Sequence, residues 1–97
     1  MEMHQNEDVR LLYRALLALE NEEECVAFLE DLMTRKELCD IAQRLSVAKM
    51  LFGQAVYSKI VEETGASTAT ISRVNRCCNY GTGGYAKILE RIGEKEA

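Results

Sequence analysis

The chain is predicted to fold as an all-α protein, and three features carry that expectation. Apolar residues recur every three or four positions in successive segments. Helix-capping side chains or glycines stand between those segments. The 97 residues include no proline and no run that reads as a strand, while 47% of them are hydrophobic. That composition suits a compact helical protein rather than a disordered chain. No internal repeat is visible, and the length fits one small domain over residues 1–97.

Residues 1–6, MEMHQN, read as a frayed terminus, with His4, the only histidine, as a solvated side chain in it. Asn6 is placed to cap a first helix, and Glu7 and Asp8 complement the positive end of its dipole. Val9, Leu12, Tyr13, Leu16 and Leu19 form its apolar stripe. Asn21 with Glu24 repeats the capping signature before a short helix whose buried face is Cys25, Phe28, Leu29 and Leu32. Thr34-Arg35-Lys36-Glu37 has the form of a capping box. The helix it opens runs to about Phe52 and carries Leu38, Ile41, Ala42, Leu45, Ala48 and Phe52, widened by Val47, Met50 and Leu51. One neighbour would not cover so broad a stripe, so the helices of residues 7–53 are expected to centre a homodimer. Gly53 with Gln54 ends or bends this helix.

Residues 56–78 are expected to form a helix-turn-helix. Val56 and Ile60 anchor its first helix, with Val61 partly buried. Gly65 stands where the chain must reverse, because glycine enters left-handed backbone space without a Cβ clash. Ser67 then caps the second helix. On that helix Ile71, Val74 and Cys78 form an apolar edge, while Thr68, Ala69, Ser72, Arg73 and Arg76 fall on the other side. Short polar groups followed by arginines suit entry into a DNA major groove. No acidic residue occurs from Ala66 to Ile88, in a chain with 16 Asp and Glu. Asn79 to Gly84 is too rich in glycine for a helix and reads as a connector. Tyr85, Ile88, Leu89 and Ile92 define a last amphipathic helix over 85–92, ended by Gly93, and Glu94-Lys95-Glu96-Ala97 reads as tail.

The net charge of −4 hides an asymmetry. Residues 1–33 hold nine acids and two bases, and residues 34–97 hold ten bases and seven acids. The acidity is thus concentrated away from the proposed reading helix. Cys25, Cys39, Cys77 and Cys78 have neither disulfide-framework nor zinc-site spacing and read as thiols of a reducing cytoplasm. No signal peptide or long apolar run is present, so a membrane partner is not expected. One histidine in the terminus leaves no Cys–His or Ser–His constellation, which argues against an enzyme, and no metal or cofactor is implied.

The run Gly65-Ala66-Ser67-Thr68-Ala69-Thr70-Ile71-Ser72-Arg73 resembles the Trp repressor helix-turn-helix. Continued through Val74-Asn75-Arg76-Cys77-Cys78-Asn79-Tyr80-Gly81, it is similar to the YerC/YecD branch of Trp repressor-like proteins. The resemblance covers about residues 24–92 and implies an intertwined, all-helical homodimer that presents a helix-turn-helix at each end to half of a palindromic operator. It also implies an effector pocket. The corepressor tryptophan of that family lies between two arginines, matched here by Arg44 and Arg73, with Thr70 also in place. Val74 stands where the repressor has glycine and Cys77 where it has serine. A valine side chain in a packed site collides with a bound ring, so free L-tryptophan is not expected to be the effector.

These readings define a transcriptional regulator, a repressor in the form the resemblance implies, whose partner is double-stranded DNA. Its contact residues would be Lys59, Ser67, Thr68, Ala69, Thr70, Ser72, Arg73 and Arg76. Arg73 and Arg76 suit either a phosphate or a guanine edge, and Lys59 either a phosphate or solvent. The alternative is a helical protein-interaction adaptor that docks through its acidic N-terminal helices and binds no specific DNA.

Overall fold

The computed structural model describes residues 2–93; Met1 and the predicted tail from Glu94 to Ala97 lie outside the described residues. A short 3-10 turn, Met3–Gln5, precedes six helices: α1 Glu7–Ala18, α2 Glu22–Leu32, α3 Arg35–Phe52, α4 Tyr57–Thr64, α5 Thr68–Tyr80 and α6 Gly84–Arg91. The protein is all-α, with no strand among the described residues. Its chain divides into two compact units between Arg35 and Lys36.

In the first unit the caps form as the sequence predicts. Asn6 Oδ1 accepts the backbone N–H groups of Asp8 and Val9 at 2.8 and 3.2 Å. Asn21 Oδ1 accepts the N–H of Glu24 at 2.9 Å, while the Glu24 carboxylate reaches back to the N–H of Glu20. Each cap satisfies donors that a helix start leaves without a partner. The terminus departs from its expected fraying. Met3–Gln5 winds into a turn, and His4 Nδ1 lies 2.6 Å from the Tyr13 hydroxyl, so that histidine has a partner on α1. Despite these closed ends, none of the described residues of the turn, α1 or α2 is buried.

The second unit owns the core. Val47, Ala48, Ile60, Ala66, Ile71, Val74 and Leu89 are buried, with Met50, Leu51, Phe52, Ala55, Cys78 and Tyr85 packed around them. Helix α3 contributes only its C-terminal half to this cluster. Ile41 and Leu45, on the stripe expected to be covered, remain 45% and 41% exposed. Val47, expected only to widen that stripe, is fully buried. Helix α3 stops in a Schellman turn: the N–H of Gln54 bonds to the carbonyl of Leu51, and that of Ala55 to Met50. Gln54 itself takes the left-handed position, with φ of 64°.

Three helix boundaries differ from the sequence reading. Helix α5 runs to Tyr80, because Asn79 donates its amide to Asn75 Oδ1 at 3.2 Å and the N–H of Gly81 closes the last turn on Cys77. The connector shortens to residues 81–83, and α6 starts at Gly84. Val56, expected to anchor α4, is its N-cap and 65% exposed, which leaves Ile60 as the buried anchor.

Candidate nucleic-acid interface

The candidate interface is built around the turn between α4 and α5. Gly65 caps α4 in the left-handed conformation, with φ of 74°, and donates its N–H to Val61. Ala66 follows as a buried plug in the core. Ser67 Oγ accepts the N–H of Thr70 and donates to the Thr70 hydroxyl, both at 3.1 Å. Thr64 locks the other side: its hydroxyl donates to the Ile60 carbonyl at 2.7 Å and accepts the Ala66 N–H at 3.1 Å. Gln43 on α3 then donates its amide to the Thr64 carbonyl at 3.0 Å. Sequence reading missed Gln43, since nothing local links it to a partner 21 residues away.

Held this way, α5 shows its predicted division. Ile71 and Val74 are buried and Cys78 is half-buried. Ser67, Thr68, Ala69, Ser72, Arg73 and Arg76 are exposed. Neither Arg73 nor Arg76 makes a hydrogen bond or ion pair among the described residues. The first turn of α5 carries no acidic side chain, so the positive end of its dipole is not offset. Lys59 on α4 is exposed but lies 3.3 Å from Glu63, an open ion pair that is weak and readily exchanged. The side chain of Ser67 is committed to the cap, which leaves backbone N–H groups as its means of meeting an anion.

Thr70 lies apart from the open face. It is half-buried and lines a cavity of about 200 Å³ with Arg44, Arg73, Val74 and Tyr85. Four of the five residues assigned to an effector pocket thus meet in one place. Cys77, the fifth, is exposed and lines a neighbouring depression of about 410 Å³ with Leu45, Thr82, Gly84, Tyr85 and Ile88. Tyr85, which the sequence reading treated only as helix packing, belongs to both. Burial raises the pKa of its phenol above the usual value, the Cys77 and Cys78 thiols add to the rise, and Arg44 and Arg73 oppose it. The Cys78 thiol is pushed up mainly by burial, then by Cys77. No group of three or more His, Cys, Asp and Glu side chains that could hold a metal occurs among the described residues. No helix among them is long and apolar enough to cross a membrane.

An all-helical chain with an exposed, cationic second helix after a glycine turn defines a helix-turn-helix protein. The chain belongs to the Trp repressor protein family, whose pattern it matches over residues 7–93, and within it to the YerC branch. YerC of Bacillus subtilis (strain 168), itself uncharacterised, is 52% identical over 85 residues, which cover 88% of this chain and 82% of YerC. Two solved structures share the fold, each with 97% of both chains covered. One is a TrpR-like protein from Eubacterium eligens ATCC 27750, at a TM-score of 0.92 and 46% identity. The other is a proposed Trp repressor from Staphylococcus aureus, at 0.89 and 41%.

Proposed function

We propose that this protein is a sequence-specific DNA-binding transcriptional regulator that represses by occupying a palindromic operator as a homodimer. The observation that carries the reading is the outer face of α5, where Arg73 and Arg76 are exposed and have no carboxylate partner among the described residues, while Ile71 and Val74 hold the opposite edge in the core. Thr68, Ala69 and Ser72 are short enough for the backbone to approach base edges, with the thymine methyl a natural partner for Ala69. The N-terminus of α5 at Ser67 suits a phosphate. Lys59 would reach a second phosphate once it exchanges Glu63 for it.

The homodimer is supported by the apolar surface that one chain leaves open. Leu11, Leu16, Leu17 and Val26 in the first unit, and Ile41 and Leu45 on α3, are all exposed. We read residues 7–53 as the surface that a second copy covers, and 1–97 as one domain completed by that copy. Two reading helices about 34 Å apart then meet successive major grooves.

The cavity at Arg44, Thr70, Arg73 and Val74 is the place for an effector, with Cys77 beside it. Free L-tryptophan does not suit it: Val74, itself part of the core, lines this cavity, and its side chain takes the space that a bound ring would need. Calorimetric titration with L-tryptophan is expected to give no binding heat, and micromolar binding would refute this part of the reading.

Selection of bound duplexes from a random pool tests the whole. Enrichment of a palindrome is the expected result; no enrichment at low salt would instead favour a protein-interaction adaptor. On the enriched duplex Arg76→Ala should weaken binding by about 1–3 kcal/mol if the guanidinium reads a guanine. An equal loss on a scrambled duplex identifies a phosphate contact.

A further inference from the structure

Tyr80 ends α5 with 86% of its surface exposed, and no hydrogen bond or ring contact engages it among the described residues. An aromatic ring left in water forgoes the burial that makes such a side chain stabilising. Its angular position aligns it with the reading face. At about 100° per residue, Ala69, Arg73, Arg76 and Tyr80 fall within about 60° of one another, opposite the edge held in the core by Ile71 and Val74.

The turn that follows leaves this ring uncovered. Gly81 donates its N–H to the Cys77 carbonyl at 2.9 Å, and a Cβ on Gly81 would collide with that same oxygen. Only Thr82 then carries a side chain before Gly83 and Gly84. Tyr80 lies about 16 Å along the helix axis from Ala69, at about 1.5 Å per residue. A major groove is only about 12 Å wide. A helix that crosses the groove with its first turn at the bases therefore delivers its last residue beyond them, at the sugar–phosphate wall.

We propose that Tyr80 is a DNA-backbone contact, its phenolic O–H donating to a phosphate oxygen at the groove rim and its ring lying on the adjoining deoxyribose. The inference rests on the regulator reading above and adds one residue and one chemical partner to it. A contact to phosphate is independent of base sequence, and because the phenol carries no charge it displaces no counterion. The charged side chains beside it, where they meet phosphate, do displace counterions. Salt dependence therefore separates the two kinds of contact.

The full chain, Tyr80→Ala and Tyr80→Phe are compared by fluorescence anisotropy on the enriched duplex and on a scrambled one, from about 50 to about 200 mM salt. Tyr80→Ala is expected to weaken both duplexes by about tenfold and Tyr80→Phe by less, with the slope of affinity against salt unchanged. Melting temperature should not move, because Tyr80 is 86% exposed. A neutral methylphosphonate stepped along the backbone should weaken the wild type at one position in each half-site where Tyr80→Ala is indifferent. Wild-type affinity in Tyr80→Ala overturns the proposal and leaves the regulator standing. A loss confined to the enriched duplex also overturns it, since that marks base reading. A wild-type chain that binds neither duplex overturns both.

Discussion

The two compact units of this chain carry apolar stripes at the same helical spacing, yet they treat them differently. Helix α1 repeats leucines through Leu11, Leu12, Leu16 and Leu17 and buries none of them. Helix α5 offers only Ile71, Val74 and Cys78 and buries the first two. Helix α3 contains the contrast within itself, with Val47 and Ala48 in the core and Ile41 and Leu45 open. Periodicity therefore reports that a helix has an apolar face, and not whether the surface that covers it lies in the same chain. The unit with its own core carries the turn between α4 and α5. The other unit leaves its apolar side chains open, and these are the surface assigned to the proposed second copy.

The strongest way to break this contrast is to charge the open half of α3. Leu45→Asp places a carboxylate in the proposed dimer contact of both copies, at roughly 3–5 kcal/mol each. Sedimentation equilibrium should then move from twice the 11.0 kDa chain mass to that mass, whereas a wild type already at the single mass would refute the dimer. In the self-sufficient unit, Ile60→Ala empties a fully buried site and should cost about 2–5 kcal/mol in urea denaturation. A smaller loss would mean that the core around α4 collapses readily.

The turn itself gives a finer probe. A Cβ on Gly65 would meet nothing within 4 Å, so Gly65→Ala costs only the left-handed backbone. That is about 1–2 kcal/mol of stability, and DNA affinity measured well below the melting transition should be retained. The smallest effect concerns pH. Cys78 and Tyr85 hold their protons more firmly folded than unfolded, because burial raises both pKa values above the ordinary 9.0 and 10.0. The stability this adds is complete below pH about 9 and is lost as pH climbs through the folded values. Urea midpoints should fall above that pH, and less steeply in Cys78→Ala; identical profiles would remove the effect.

What was legible in the residues follows from the range of the forces involved. Asn6, Asn21, Gly65 and Ser67 act on backbone groups within four positions of themselves, so sequence alone predicts their caps and turn. The two faces of α5 were legible for the same reason, because helical spacing fixes which residues share an edge. Gln43, Val47, Val56 and Tyr85 were misjudged or passed over. Gln43 finds its partner 21 residues on, Val47 gains its burial from a cluster that spans α3 to α6, and Val56 is the exposed N-cap of α4 rather than part of its buried face. Tyr85 enters the Arg44 and Arg73 cavity only because α6 packs back against α5. By itself, then, the sequence determined the helices, the turn and the chemistry of the outer face of α5, all of them local. Which apolar faces close within one chain, and which side chains gather around Arg44, were decided only by tertiary packing, since burial depends on neighbours that spacing along the chain does not specify.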